Sequence, residues 1–153
     1  MNQINQNLYN EILTNMPIVC VDGILIDDDG KILFLKRDNE PEKGNWWFPG
    51  GRLLKNEKLE DAIVRKFKEE TNLDVIVDEC LGFTETIFTT GPFNIPVHTI
   101  NITFKLSSSD KNIKIDNLHS DFIWTNDIDS LNLNSEIYKI IKNNNLYGTI
   151  SSI

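Results

Sequence analysis

Carboxylates, arginines and glycines are concentrated in one stretch of this 153-residue chain. Gly50, Gly51 and Arg52 come first, followed by Glu57, Arg65, Glu69, Glu70 and Leu73. A glycine turn lets backbone approach a ligand closely. Carboxylate oxygens suit hard divalent cations, and guanidinium groups suit phosphate oxygens. Together these residue types can hold a divalent cation against a diphosphate.

The elements must place them. The segment from about 57 to 71 reads as a helix whose inward face carries Leu59, Ala62, Ile63 and Phe67. Glu70 falls in the same arc, where a carboxylate is costly unless it is paired or bound to metal. That makes Glu70 the leading metal-ligand candidate. Glu69 lies one step around the helix, and either ligates as well or pairs with Arg65 one turn earlier. Lys66 faces inward, one turn before Glu70. Glu57 is placed in the first helical turn, where a carboxylate complements the helix dipole. Asn72 follows the helix and suits a left-handed C-terminal residue. Oxygen ligands on a phosphate substrate point to Mg²⁺, with Mn²⁺ as the alternative.

The spacing resembles the Nudix hydrolase box. Gly51, Glu57, Arg65, Glu69, Glu70 and Leu73 match it, while Lys66 stands where the pattern has Glu and Asn72 where it has Gly. The resemblance implies an α/β fold, a mixed β-sheet sandwiched between helices. It also implies that a backbone carbonyl of the glycine turn, at Gly50, reaches the metal. A cation at Lys66 should weaken a cluster of several ions, so one Mg²⁺ is expected.

Outside the box, the runs Lys36–Pro41, Gly44–Arg52 and Lys55–Ala62 are similar to one branch of the family, the GDP-mannose mannosyl hydrolases. The N-terminal helix, Asp22 in the first strand, and His119, Asp121, Phe122 and Trp124 continue the likeness. This resemblance implies hydrolysis of a GDP-sugar by water attack at the anomeric carbon, with inversion and release of GDP. Mg²⁺ on Glu70, together with Arg37, Arg52 and Arg65, would then stabilise the diphosphate leaving group. His119 would be the general base. Asp22 either faces the site or satisfies backbone groups. His98 is read as structural, and Trp46 and Trp47 as packing residues. One residue departs: Leu118 stands where the branch has a side-chain amide on the metal. The alternative reading is a diphosphatase attacking phosphorus in a nucleotide sugar or nucleoside triphosphate. A third is a ligand-binding domain without catalysis. Dimerisation within the branch implies a homodimer.

The whole chain sets the bounds. A net charge of −8 argues against a broad nucleic-acid surface. No apolar run reaches membrane-spanning length, and the start does not read as a signal peptide. Cys20 and Cys80 are read as two buried thiols in a reducing cytoplasm. The chain is read as one domain. A helix is predicted over 4–16, closed by Pro17. A strand over 18–26 is joined through Asp27–Gly30 to a hairpin partner over 31–37. Further strands are predicted over 73–88, kinked at Gly82, and over 97–106 and 121–125. A last helix is predicted over 135–146.

Overall fold

The computed structural model describes residues 4–146. Helix α1 (Gln6–Asn15) leads into strand β1 (Ile18–Leu25). Strands β2 (Ile32–Arg37), β3 (Trp46–Trp47) and β4 (Gly50–Arg52) precede helix α2 (Leu59–Thr71). Strands β5 (Ile76–Phe88), β6 (Val97–Ser107) and β7 (His119–Thr125) follow, and α3 (Ser135–Asn143) comes last among the described residues.

Two sheets form the middle layer. One is mixed, ordered β4-β1-β6-β5, with β1 and β6 parallel; the other is antiparallel, ordered β3-β2-β7. Alternation along β1 and β2 sends side chains to opposite layers. Val21, Leu25, Leu33 and Leu35 pack with Ala62, Ile63 and Phe67 of α2. Ile24, Ile32 and Phe34 pack with Ile137, Ile140 and Ile141 of α3. The α/β sandwich anticipated from the sequence is thus present.

Three expectations need correction. β1 and β2 are not hairpin partners. A single bridge, Ile26 to Ile32, joins them before the chain passes from one sheet to the other. The Asp27 side chain closes that turn by accepting from the Asp29 and Lys31 amides. Such a turn reverses the chain without fixing which strand pairs next. Glu57 precedes the N-cap residue Lys58 and lies outside the helix. Its carboxylate accepts from Leu54 N and binds Arg65, so a side-chain partner takes the place of the helix dipole. Finally, Cys80 is exposed because β5 runs along a sheet edge, and Cys20, on β1, is only half-buried because it lines a cleft.

Other local readings match. Asn72 caps α2 with a left-handed φ of 63°. Gly82 adopts φ 117° where the β5–β6 register shifts. The N-terminal apolar face divides: Leu13, Tyr9 and Ile12 pack beside Ile18 and Val97, while Ile4, Leu8 and Met16 are exposed.

Candidate active site

A cleft of about 280 Å³ lies on the α1 side of the mixed sheet. Its floor follows from strand alternation. Ile18, Cys20 and Asp22 of β1 share one face, and Val97, Thr99 and Asn101 of the parallel neighbour β6 share the same one. Tyr9 and Leu13 of α1 form a wall, and the Gly50–Arg52 strand forms another.

α2 delivers Glu70 into this cleft. The carboxylate is buried, and its Oε2 accepts the Gly50 N–H at 3.0 Å. A side chain at Gly50 would strike the Val21 carbonyl and Asp22, and one at Gly51 would strike Lys66. Glycine at 50 therefore lets β4 lie this close to β1, whereas a side chain at 51 would displace the flexible end of Lys66. Burial holds the Glu70 carboxyl above its ordinary pKa, against the pull of Lys66 and the Gly50 N–H.

The other carboxylates of this stretch are paired. Glu57 forms a two-pronged bridge with Arg65, at 2.6 and 2.9 Å. Arg65 also reaches Glu69 at 3.1 Å and the Arg52 carbonyl at 3.1 Å. Lys66 Nζ sits 3.2 Å from both Glu69 and Glu70. Burial would lower its pKa, yet the two glutamates hold it above the ordinary value.

β7 brings the histidine. His119 begins this strand, is buried, and pairs in register with Arg37. Its Nδ1 lies 2.6 Å from Asp116 Oδ1. An ionised carboxylate only accepts, so Nδ1 carries the proton and Nε2 keeps its lone pair. Ligand atoms of Glu70, Asp116 and His119 all lie within 4.8 Å of one another. The two carboxylates offer oxygen donors of the kind that suit Mg²⁺ or Mn²⁺, and the imidazole lies beside them.

The anticipated residues separate into groups. Glu70, Gly50, His119, Arg37, Arg52 and Asp22 all line the cleft. Arg37 donates from Nε to the Pro41 carbonyl at 2.7 Å. Burial lowers the Arg37 pKa, opposed by Glu70 and Asp22. Arg52 stacks over the Tyr9 ring, 5.0 Å from its centroid. Asp22 is buried, accepts from Asn101 Nδ2 at 2.8 Å, and is pushed up to about 7 by burial. Arg65 and Glu69 are not part of the cleft lining; their contacts are with each other, with Glu57 and Lys66, and, for Arg65, with the Arg52 carbonyl. His98 pairs across strands with Glu85 at 3.0 Å, outside the cleft lining.

Sequence reading missed Asp116, Asn101 and Tyr9. Asn101 was visible as a polar residue in an alternating strand. Tyr9 was visible only as part of an apolar face. Asp116 carried no local signal.

Known proteins resemble this chain in sequence and in fold. Residues 16–141 match the family model for the NUDIX domain. The low-salt glycan biosynthesis protein Agl8 of Haloferax volcanii is 34% identical over 120 residues, covering 77% of this chain and 76% of that protein. The ADP-ribose pyrophosphatase of Methanocaldococcus jannaschii is 38% identical over 128 residues, covering 82% and 72%. Among solved structures, a MutT protein from Methanosarcina mazei superposes with a TM-score of 0.74 at 21% identity, covering 84% of this chain and 94% of that one.

Proposed function

Since the chain belongs to the Nudix family, we propose that it is a Mg²⁺-dependent hydrolase of a nucleoside diphosphate sugar, GDP-mannose above all, with water attacking the anomeric carbon. One observation carries this reading: His119, buried in the cleft, has Nδ1 committed to Asp116 and Nε2 available as a base. The glycan-related relative in Haloferax supports a sugar-bearing substrate.

The residues divide the work. Glu70 holds the cation, with the Gly50 carbonyl as a further candidate, while the Glu69 carboxylate is taken up by Arg65 and Lys66. When bound, the ion supplies charge neutralisation to the diphosphate as the C–O bond breaks. Arg37 and Arg52 face the cleft and stabilise the same charge. Arg65 acts from behind, bracing the Arg52 carbonyl and Glu57. Asp22 sets the floor through Asn101. His119 takes the proton from the attacking water.

The experiment is hydrolysis of GDP-mannose in ¹⁸O-water with Mg²⁺. Label in the released mannose supports attack at carbon. Label in GMP or sugar phosphate overturns it. That second outcome is the one favoured by the 38% identity to an ADP-ribose pyrophosphatase, and it would make the protein a diphosphatase cleaving P–O–P.

The assembly and location follow from the same reading. The exposed apolar residues Leu8 and Met16 on α1, with Phe83 and Ile87 on edge strand β5, support a homodimer. Sedimentation giving only monomer would refute it. Free cysteines and a nucleotide substrate fit a reducing cytoplasm. Among the described residues, no helix is long and apolar enough to cross a membrane.

A further inference from the structure

Charge accounting around α2 leaves one place for a divalent ion. Glu57 is bound by Arg65, and Glu69 by both Arg65 and Lys66. Glu70 shares Lys66 with Glu69 and is the more buried of the two. A cation drawn to Glu70 therefore finds its next free carboxylate off the helix.

Asp116 is that carboxylate, and the backbone puts it there. Its N–H donates to the Glu70 carbonyl at 3.2 Å, and Lys114 N donates to the Thr71 carbonyl at 2.9 Å. These bonds satisfy carbonyls that the end of α2 would otherwise leave unpaired. They also fix the segment before β7 alongside the metal-binding turn of the helix. The Asp116 side chain then accepts from Leu118 N at 3.2 Å and from His119 Nδ1 at 2.6 Å, both on Oδ1. Among the described residues no side-chain hydrogen bond falls on Oδ2. The neighbouring Leu118 side chain is apolar and exposed, so it contributes nothing.

We propose that Asp116 is a ligand of the divalent cation, so that the ion is held between helix α2 and the segment leading into β7. The inference rests on the Nudix reading, which supplies the metal. It gives Asp116 two roles from two oxygens: Oδ1 orients His119, and Oδ2 binds the ion. The base and the cation are thereby held on one side chain.

The test measures metal, not turnover. Mn²⁺ is titrated into the full chain and the unbound ion is read by electron paramagnetic resonance. Asp116→Asn should bind Mn²⁺ at least about tenfold more weakly than wild type, and Glu69→Gln should stay within about threefold. Binding by Asp116→Asn within threefold of wild type, while Glu70→Gln loses the ion, overturns the proposal and leaves Asp116 as a positioning residue for His119. Asp116→Cys gives a second readout if the Asn variant fails to fold. A thiolate ligand favours soft ions, so this variant, made with Cys20→Ser and Cys80→Ser, should gain a Cd²⁺–thiolate absorption band that the Cys20→Ser/Cys80→Ser protein with Asp116 lacks. No such band in folded protein counts against the proposal. Failure of the substrate reading would appear separately, as intact metal binding without hydrolysis of nucleotide sugars.

Discussion

The two flanks of the turn that carries Glu70 hold their charge in opposite ways. On α2 the acids and bases are interleaved along one helix, and Arg65 and Lys66 between them contact Glu57, Glu69 and Glu70. On the segment entering β7, the Asp116 carboxylate is bound, among the described residues, to an imidazole and a backbone amide. The first arrangement is largely neutral before any ligand arrives. The second holds a carboxylate close to the buried Glu70 with no lysine or arginine on it. A divalent ion is drawn to the flank where charge is uncompensated, because burying unneutralised carboxylates is costly. The helix is mainly scaffold, and Glu70 is the residue it lends to the site.

The widest separation between the flanks should appear in catalysis. His119→Ala removes the base without touching α2, and should lower kcat by about 10²–10⁴. Glu70→Gln should cost a similar amount by releasing the ion, with the loss showing as a raised Mg²⁺ requirement. Glu69→Gln, one residue away, should change kcat by less than about fivefold, since its charge is already spent on Arg65 and Lys66. Steady-state rates across a Mg²⁺ series compare all three. Equal losses at Glu69 and Glu70 would break the contrast and make the whole helix end a metal cluster.

This contrast also explains what the sequence could show. Contacts within α2 lie three or four residues apart, so helical geometry exposes them directly: Arg65–Glu69 and the inward Glu70 were both legible, whereas the contact of Arg65 with Glu57, outside the helix, was not. Asp116 reaches Glu70 only through backbone bonds between a helix end and a distant loop. No periodicity announces such a contact. The same limit misplaced β2, since the turn at Asp27–Gly30 is a local signal and the division into two sheets is not. It also misplaced Cys80, whose apolar neighbours suggested burial, whereas β5 lies on an edge.

A middle-sized effect tests the role of Lys66. Its ammonium packs over Gly51 and bridges Glu69 and Glu70. Lys66→Glu reverses that charge, frees Glu70 of its lysine and leaves Glu69 on Arg65 alone. A second, weaker Mn²⁺ should then bind, read as a rise in the stoichiometry of the paramagnetic titration. An unchanged single site would mean that factors other than Lys66 restrict the helix to one ion.

The smallest effect belongs to Glu57, which does not line the cleft. Its carboxylate forms a two-pronged bridge to Arg65 and accepts from Leu54 N, with only 15% of the side chain exposed. Glu57→Gln should cost about 1–2 kcal/mol in folding stability, the usual scale of a charge-assisted hydrogen-bonded pair. Hydrogen bonding from Arg65 holds the Glu57 carboxyl below its ordinary value. A depressed folded pKa stabilises above the unfolded value, near pH 4.3, and that gain is lost as pH falls through the folded value. The wild type should therefore melt above Glu57→Gln at pH 7, and the gap should narrow as pH falls below about 4. A gap that stays constant down to that pH would mean the bridge acts through shape and not charge. Since Arg65 also supports the Arg52 carbonyl, kcat/KM should fall modestly in the same variant, even though Glu57 never touches the substrate.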